Sequence, residues 1–244
     1  MRKSAQLGLA VTSITATLAI WLPGITTAGS PKDAAYEPHL KASDFSTKID
    51  NRYFPLPVGW TWIYKGVKEG KPQIDRVTVT PMTKRVAEGI TARAITDVAK
   101  TPAGKLLEKT TDWYAQDKRG NVWYFGERTA AYLPGGRIDR SGSWEAGVKD
   151  GEPGIIMRAN PQIPDAYRQE YQRGNAEDTA WIVNRGTSIS VPYASFHGAL
   201  TSLEFARIEP KVVDQKIYAP GTGIVLEKAL TGAPEVARLV KLIK

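Results

Sequence analysis

"DWYAQDKRGNVWYFGE", residues 112–127, places five aromatic rings within sixteen residues around one polar turn. Asp117-Lys118-Arg119-Gly120 suits a type I turn followed by a left-handed glycine, the usual three-residue hairpin loop. Closing that loop between Asp117 and Asn121 pairs Gln116 with Val122, Ala115 with Trp123, Tyr114 with Tyr124 and Trp113 with Phe125. Because successive side chains of a strand point to opposite faces, the rings sort into two sets. Trp113, Ala115, Trp123 and Phe125 form a wholly apolar face, which is expected to be core. Tyr114, Gln116, Val122 and Tyr124 form a face with phenol tips and an amide, expected to be half-wet. Hairpin core accounts for most of these rings, since cross-strand aromatic pairs stabilise a sheet. If the stretch binds a ligand, the tyrosine face is the one expected to do so.

The hairpin sits in a chain punctuated by turn signals about every ten residues from Asn51 onward, the pattern of antiparallel β architecture. "WTWIYKG" (60–66) alternates and is followed, after a charged turn, by "DRVTVT" (75–80). "GITARAITDV" (89–98) puts Ile90, Ala92, Ala94 and Thr96 on one face, and a TPAG turn leads into "KLLEKTTDWYAQD". Further strands are expected at 165–172, 179–185, 196–209, 212–219 and 223–230. Val236, Leu239, Val240 and Ile243 also fit a helix, but the preceding "TGAP" fits a hairpin turn, and a final strand is preferred. The fold class expected is all-β: one antiparallel, strongly curved sheet, half-barrel or barrel-like, over residues 51–244, with less than about 20% helix.

Upstream, Arg2 and Lys3 precede an uncharged apolar run from Leu7 to Leu22, then Pro23-Gly24 and the small residues around Ala28. Residues 1–28 therefore read as a Sec-type secretory signal peptide. A retained membrane anchor is the competing reading, but four Ser/Thr residues dilute the run. There is no cysteine for a lipid anchor and no twin arginine. The protein is expected to be secreted or periplasmic, with no stable membrane insertion after cleavage. Residues 29–50 are polar, with scattered prolines, and read as a flexible N-terminal arm. With no cysteine in the chain, stability must come from burial. Once Arg2 and Lys3 are removed the formal charge of +8 falls to +6, spread without a basic stripe or recognition helix. Nucleic acid is accordingly not an expected partner.

Chemistry-bearing residues are sparse. His39 lies in the arm and His197 beside Ser195, but no nucleophile elbow accompanies them. Two scattered histidines without cysteine do not make a zinc site, and Asp150-Gly151-Glu152 and Glu177-Asp178 lack calcium-loop spacing and read as surface turns. "AYRQEYQ" (166–172) alternates Tyr167, Gln169 and Tyr171 with Arg168, Glu170 and Gln172. Arg168 and Glu170 form a charged row that would contact a polar ligand from the concave side of a curved sheet. The ligand-binding set expected is Tyr114, Tyr124, Arg168 and Glu170; no catalytic residue, metal or cofactor is expected. The gly-rich pieces at 135–136 and in "APGTGI" are not phosphate loops.

"NRYFPLPVGWTWIY" (51–64), "DWYAQDKRGNVWYFGE", "GSWEAGVKDGEPGIIM" (142–157), "DAYRQEY" (165–171) and "IYAPGTGIVLE" (217–227) resemble, in order, the signature blocks of a widespread family of exported bacterial β-rich proteins. "SVPYASFHGALTSLEF" (190–205) resembles the "VPAGSF" strand-turn-strand element of lipoprotein-carrier-type curved sheets, with Tyr193-Ala194 in place of the usual Ala-Gly. The resemblance implies the fold and export; it carries no activity. Two functions follow for comparison. One is an exported, non-catalytic binding protein holding a small apolar or glycan-like ligand on the aromatic-lined sheet. The other is an extracytoplasmic hydrolase or lyase using paired carboxylates drawn from Glu127, Glu145, Glu170 and Glu204. The missing nucleophile, metal set and cofactor motif favour the first.

Overall fold

The computed structural model describes residues 36–244; the segment read as a signal peptide lies outside the described residues. After β1 (Phe45–Ser46), five long strands follow as a meander: β2 (Thr61–Lys68), β3 (Lys71–Arg85), β4 (Thr91–Lys100), β5 (Leu106–Asp117) and β6 (Val122–Tyr132). Short pieces come next: β7 (Ile138–Asp139), β8 (Trp144–Glu145), β9 (Glu152–Met157), β10 (Ala166–Arg168) and β11 (Glu170–Tyr171). A second meander closes the chain: β12 (Asp178–Ser190), β13 (Ser195–Ala206), β14 (Val213–Ala219), β15 (Gly223–Thr231) and β16 (Glu235–Ile243). The only helical pieces among the described residues are three-residue 3-10 turns, and the last segment is a strand.

The sixteen strands form one antiparallel sheet; thirteen run in the order β10-β12-β13-β14-β15-β16-β2-β3-β4-β5-β6-β9-β11, with β1 beside β5 and with β7 and β8 beside β6. Its two edges, β10 and β11, are consecutive pieces of one segment separated by Gln169 alone. The sheet therefore curls until its edges almost meet, which leaves few unpaired backbone groups open to wrong partners. The alternation read over 165–172 breaks at Gln169, whose N–H turns to the Asp178 carbonyl at 2.8 Å. Gly154 admits this crossing, since a Cβ there would lie 2.2 Å from the Gln169 carbonyl carbon. As a result Tyr167 and Glu170, expected on opposite faces, are both buried.

The interior has two halves. At one end Trp62, Val77, Ile95, Tyr114, Leu200, Tyr218 and Leu239 are buried, and Phe54 packs edge-on against Tyr114 (5.6 Å) and at a tilt against Tyr218 (6.5 Å). Asn51 holds this plug in place. Its side-chain oxygen accepts from the N–H groups of Tyr53 and Phe54, and its amide donates to the carbonyls of Gly120 and Arg158. Only about 20 Å³ of free space remains between Phe54, Trp62, Tyr64, Val77 and Ile224. The other half of the interior is polar, with Asp75, Asp97, Glu108, Asp112, Glu127, Glu204, Asp214, Lys216 and Glu227 all buried.

The 29–50 stretch differs from the flexible arm expected where it is described. β1 pairs with β5 (Phe45 opposite Asp117, Ser46 opposite Gln116), and Ile49 is buried. Gln116 explains the docking, because its Oε1 accepts from the N–H groups of both Asp50 and Asn51 at 3.0 Å. The anchors of this segment are few and far apart in sequence, which is why its polar composition reads as tail.

Candidate functional site

The hairpin closes as its turn chemistry dictates. Asp117 N–H donates to the Asn121 carbonyl at 2.9 Å, and Gly120 takes φ +91°. Tyr114 faces Tyr124, Ala115 faces Trp123 and Gln116 faces Val122, while a register shift between Asp112 and Tyr114 displaces the expected Trp113–Phe125 pair. The extra residue belongs to a bulge at Gly126, φ +125°, where any Cβ would sit 2.4 Å from the Trp144 carbonyl oxygen. That close approach lets β8 lie along β6, with Trp144 opposite Glu127 and Glu145 opposite Gly126.

The burial of the two faces corrects the expected contrast. Tyr114 and Tyr124 are 0% exposed, stacked at 4.6 Å inside the barrel, and therefore form core rather than a half-wet surface. Trp123 of the apolar face is only partly buried, although Trp113 and Phe125 are covered. The arm supplies that cover: Phe45 meets Trp123 at 6.2 Å and Phe125 at 5.7 Å.

Three of the four expected ligand residues come together. Tyr114, Tyr124 and Glu170 share the interior with Asp112 and Glu127, close enough that the carboxylates raise both phenol pKa values beyond the effect of burial. Arg168 stands apart, its guanidinium 4.6 Å from the Tyr171 ring centre and 5.5 Å from that of Tyr36. Glu177-Asp178 is not a surface turn: both residues are buried. Glu177 accepts from Arg207 Nε at 3.0 Å and from Gly174 N–H at 2.8 Å. Asp178 approaches Glu170 closely enough for a carboxyl–carboxyl hydrogen bond, which exists only if one of them is protonated. Ser195 and His197 serve the hairpin between β12 and β13, the first meeting Ser190 Oγ at 2.7 Å and the second Ser188 Oγ at 3.0 Å. No group of three or more potential metal ligands occurs among the described residues.

Glu127 is the central acid. It is 1% exposed, and neither carboxylate oxygen has a hydrogen-bond partner. The nearby Tyr124 hydroxyl has one proton, and it goes to Asp112 Oδ1 at 2.9 Å. Burial first, then the charges of Asp112, Glu108 and Asp178, push the Glu127 pKa well above the usual carboxylate range. Burial does the same to Glu170, reinforced by Asp178 and Glu127, and lifts Asp112 to about 7 against the Tyr124 hydrogen bond.

Outside this wall lies a cleft of about 440 Å³. Glu127 and Trp144 lie in its wall, with both Glu127 carboxylate oxygens buried behind it, and Trp113, Lys84, Glu145 and Thr111 complete its middle. The Trp144 indole N–H approaches the Glu170 carboxylate, and its ring meets Tyr124 edge-on at 5.3 Å. Lys84 Nζ lies 2.6 Å from Glu145 Oε2 and 3.6 Å above the Trp113 ring, an ion pair and a cation–π contact at once. Arg128, Lys149, Met82 and Val148 form an exposed rim. Sequence reasoning names Glu127 and Glu145 among four acids that could pair, without showing which two meet. It missed Lys84, Trp144 and Asp112, because only the bulge and the β6–β8 pairing bring them together.

No family model matches the chain, and no curated protein matches it in sequence. Among solved structures it is similar to a candidate exported protein with a YmcC-like fold from Bacteroides fragilis. That match has 17% identity and a TM-score of 0.46, over 80% of this chain and 100% of the other. A candidate lipoprotein from Parabacteroides distasonis is similar at 13% identity and a TM-score of 0.43, over 79% and 99% of the two chains. Among the described residues no helix is long and apolar enough to cross a membrane.

Proposed function

We propose that the protein is an exported, non-catalytic binding protein of the cell envelope or medium that holds a glycan-like ligand in the external cleft. The cleft itself carries this reading. Its volume of about 440 Å³ lies within the range of small-molecule sites, and it combines two tryptophans with closely set donors and acceptors. Sugar rings offer apolar C–H faces to aromatic walls and hydroxyls to such polar groups. An apolar chain is the weaker fit, because the space between Phe54, Trp62, Tyr64, Val77 and Ile224 is only about 20 Å³. The protein's test is a fluorescence titration with cellotriose and chitotriose, repeated on Thr83→Trp, which fills the exposed edge of the cleft. Saturable binding lost in that variant, with an unchanged melting temperature, is the expected result; binding that survives it places the ligand elsewhere.

One observation favours a hydrolase as the second reading. Glu145 lines the cleft, Glu127 lies in its wall, and burial pushes the Glu127 pKa well above the usual carboxylate range, the direction a general acid needs. Release of reducing ends from those oligosaccharides, abolished in Glu127→Gln, would replace the binding protein with a glycosidase.

A further inference from the structure

A groove of about 450 Å³ lies between the N-terminal arm and the turn that joins β5 to β6. Pro38, Leu40, Phe45 and Trp123 form its apolar side; Lys41, Lys118 and Arg119 are its cations, with His39 beside them. Hydrogen bonds set both walls. One oxygen of Asp117 accepts from the N–H groups of Arg119 and Asn121, and the other from Asn121 Nδ2 and the Trp123 indole, at 2.8–2.9 Å. That single carboxylate fixes the turn and the tilt of the Trp123 ring, which Phe45 meets edge-on and which stays partly exposed. Lys118 clamps the arm to the turn: its N–H donates to the Asp44 carbonyl at 2.8 Å and its Nζ to Asp44 Oδ1 at 2.9 Å.

The acceptors of this groove are occupied and its donors are not. Both oxygens of Asp117 are taken. Hydrogen bonding to Lys118, then the charges of Lys118 and Lys41, hold the Asp44 pKa below the usual carboxylate value, so this acid is already matched. The backbone carbonyls of Lys41, Asp44 and Asp117 accept from the N–H groups of Asp44, Lys118 and Gly120. Among the described residues, by contrast, Lys41 Nζ and the Arg119 guanidinium have no hydrogen-bond acceptor. The three cations face two acids, which leaves one positive charge over. A lone surface cation is served by water, but cations gathered in a concave, partly apolar groove focus their field there and favour an anion. The external cleft differs on each count, since Lys84 already covers the Trp113 ring and is itself matched by Glu145.

We propose that the groove between arm and turn is a second binding site, and that it takes an acidic sugar, a ring bearing a carboxylate or a phosphate. The ring lies on the exposed part of the Trp123 indole, an oriented apolar face that costs little ordering on binding. The anion meets Arg119, whose planar fork matches a carboxylate or phosphate with two parallel hydrogen bonds, and Lys41 adds a point charge from the opposite wall. The arm therefore does more than cover Phe125: residues 38–45 supply one side of the site. This site stands independently of the ligand held in the external cleft.

An NMR titration with glucuronic acid, glucose-6-phosphate, glucose and inorganic phosphate tests it, read at the Trp123 indole N–H and the Arg119 amide. Both acidic sugars are expected to shift these signals saturably and to bind about tenfold or more tightly than glucose, as charge-assisted hydrogen bonds imply. The double variant Lys41→Gln/Arg119→Gln should bring both down to the level of glucose with an unchanged melting temperature, because both side chains are exposed. Thr83→Trp, which fills the external cleft, should leave them unchanged. Acidic sugars that bind no better than glucose, or that bind the double variant as well as the parent, would overturn the site. Equal shifts from inorganic phosphate would mean an adventitious ion only, and loss of binding in Thr83→Trp would move the acidic sugar to the external cleft.

Discussion

Glu127→Gln is also a stability experiment. In the folded chain Glu127 is fully enclosed among other acids and has no donor, so it holds its proton at pH values where the unfolded chain has released it. A folded pKa above the unfolded one means that the native state binds more protons across the interval. Stability therefore falls as pH rises through it. Glutamine has the shape of the neutral acid but carries no such linkage. The stability difference between Glu127→Gln and the parent should be small near pH 5 and grow in favour of the variant as pH rises. The upper limit is about 1.4 kcal/mol per pH unit for one proton, or about 4 kcal/mol between pH 5 and 8. Repulsion relieved in Asp112 and Glu170 couples to the same change, so the observed slope belongs to the cluster rather than to one group. Urea denaturation at pH 5, 6, 7 and 8 measures it, with the surface change Asp150→Asn as control. A pH-independent difference, or a variant less stable than the parent at pH 8, would mean that Glu127 is ionised with a partner. The acid cluster would then not be a proton-loaded site.

Lys216→Met should cost about 3–5 kcal/mol by leaving the buried Glu204 carboxylate without its cation, whereas the double change Glu204→Leu/Lys216→Met should recover most of that loss; chemical denaturation of both checks it. Tyr124→Ala, which empties a sealed aromatic site, should cost about 3–5 kcal/mol, and Trp123→Ala less than half as much because that ring is partly exposed. Thermal melts that rank the two the other way would contradict the burial described above. Asn51→Ala should loosen the Phe54 plug and lower stability by about 2–4 kcal/mol through the loss of several buried hydrogen bonds, seen as faster amide exchange across residues 51–56. N-terminal sequencing of exported material should begin near Gly29, and an intact Met1 would point to a membrane anchor.

The strands were legible in the sequence because their signals are local. Asp117-Lys118-Arg119-Gly120 sets its own turn, and with it the Tyr114–Tyr124 register, through backbone preferences that no distant residue has to supply. Alternation likewise gave β2 and β4, and the strands expected at 196–209, 212–219 and 223–230 lie within three residues of β13 to β15, whereas β12 runs five residues past its expected end and β16 was preferred only from the turn before it. Alternation fixes which side chains share a face, but not which face is inside, and here it misleads. Asp75, Asp97, Asp112 and Glu127 have the spacing of a solvated face and line the interior. Closure of the sheet through the 166–171 segment seals that side, while Phe45 and its neighbours cover part of the other, so both faces of the hairpin lose water. The acid cluster arises in the same way: Glu127, Glu170 and Asp178 are far apart in sequence and meet only when β11 and β12 are brought round to β6. The sequence determined the strands, the turns and the antiparallel class, because each depends on contacts between near neighbours. Which carboxylates lost their water, and which of them stood beside an open cleft, was decided by tertiary structure, because desolvation depends on everything that packs around a group.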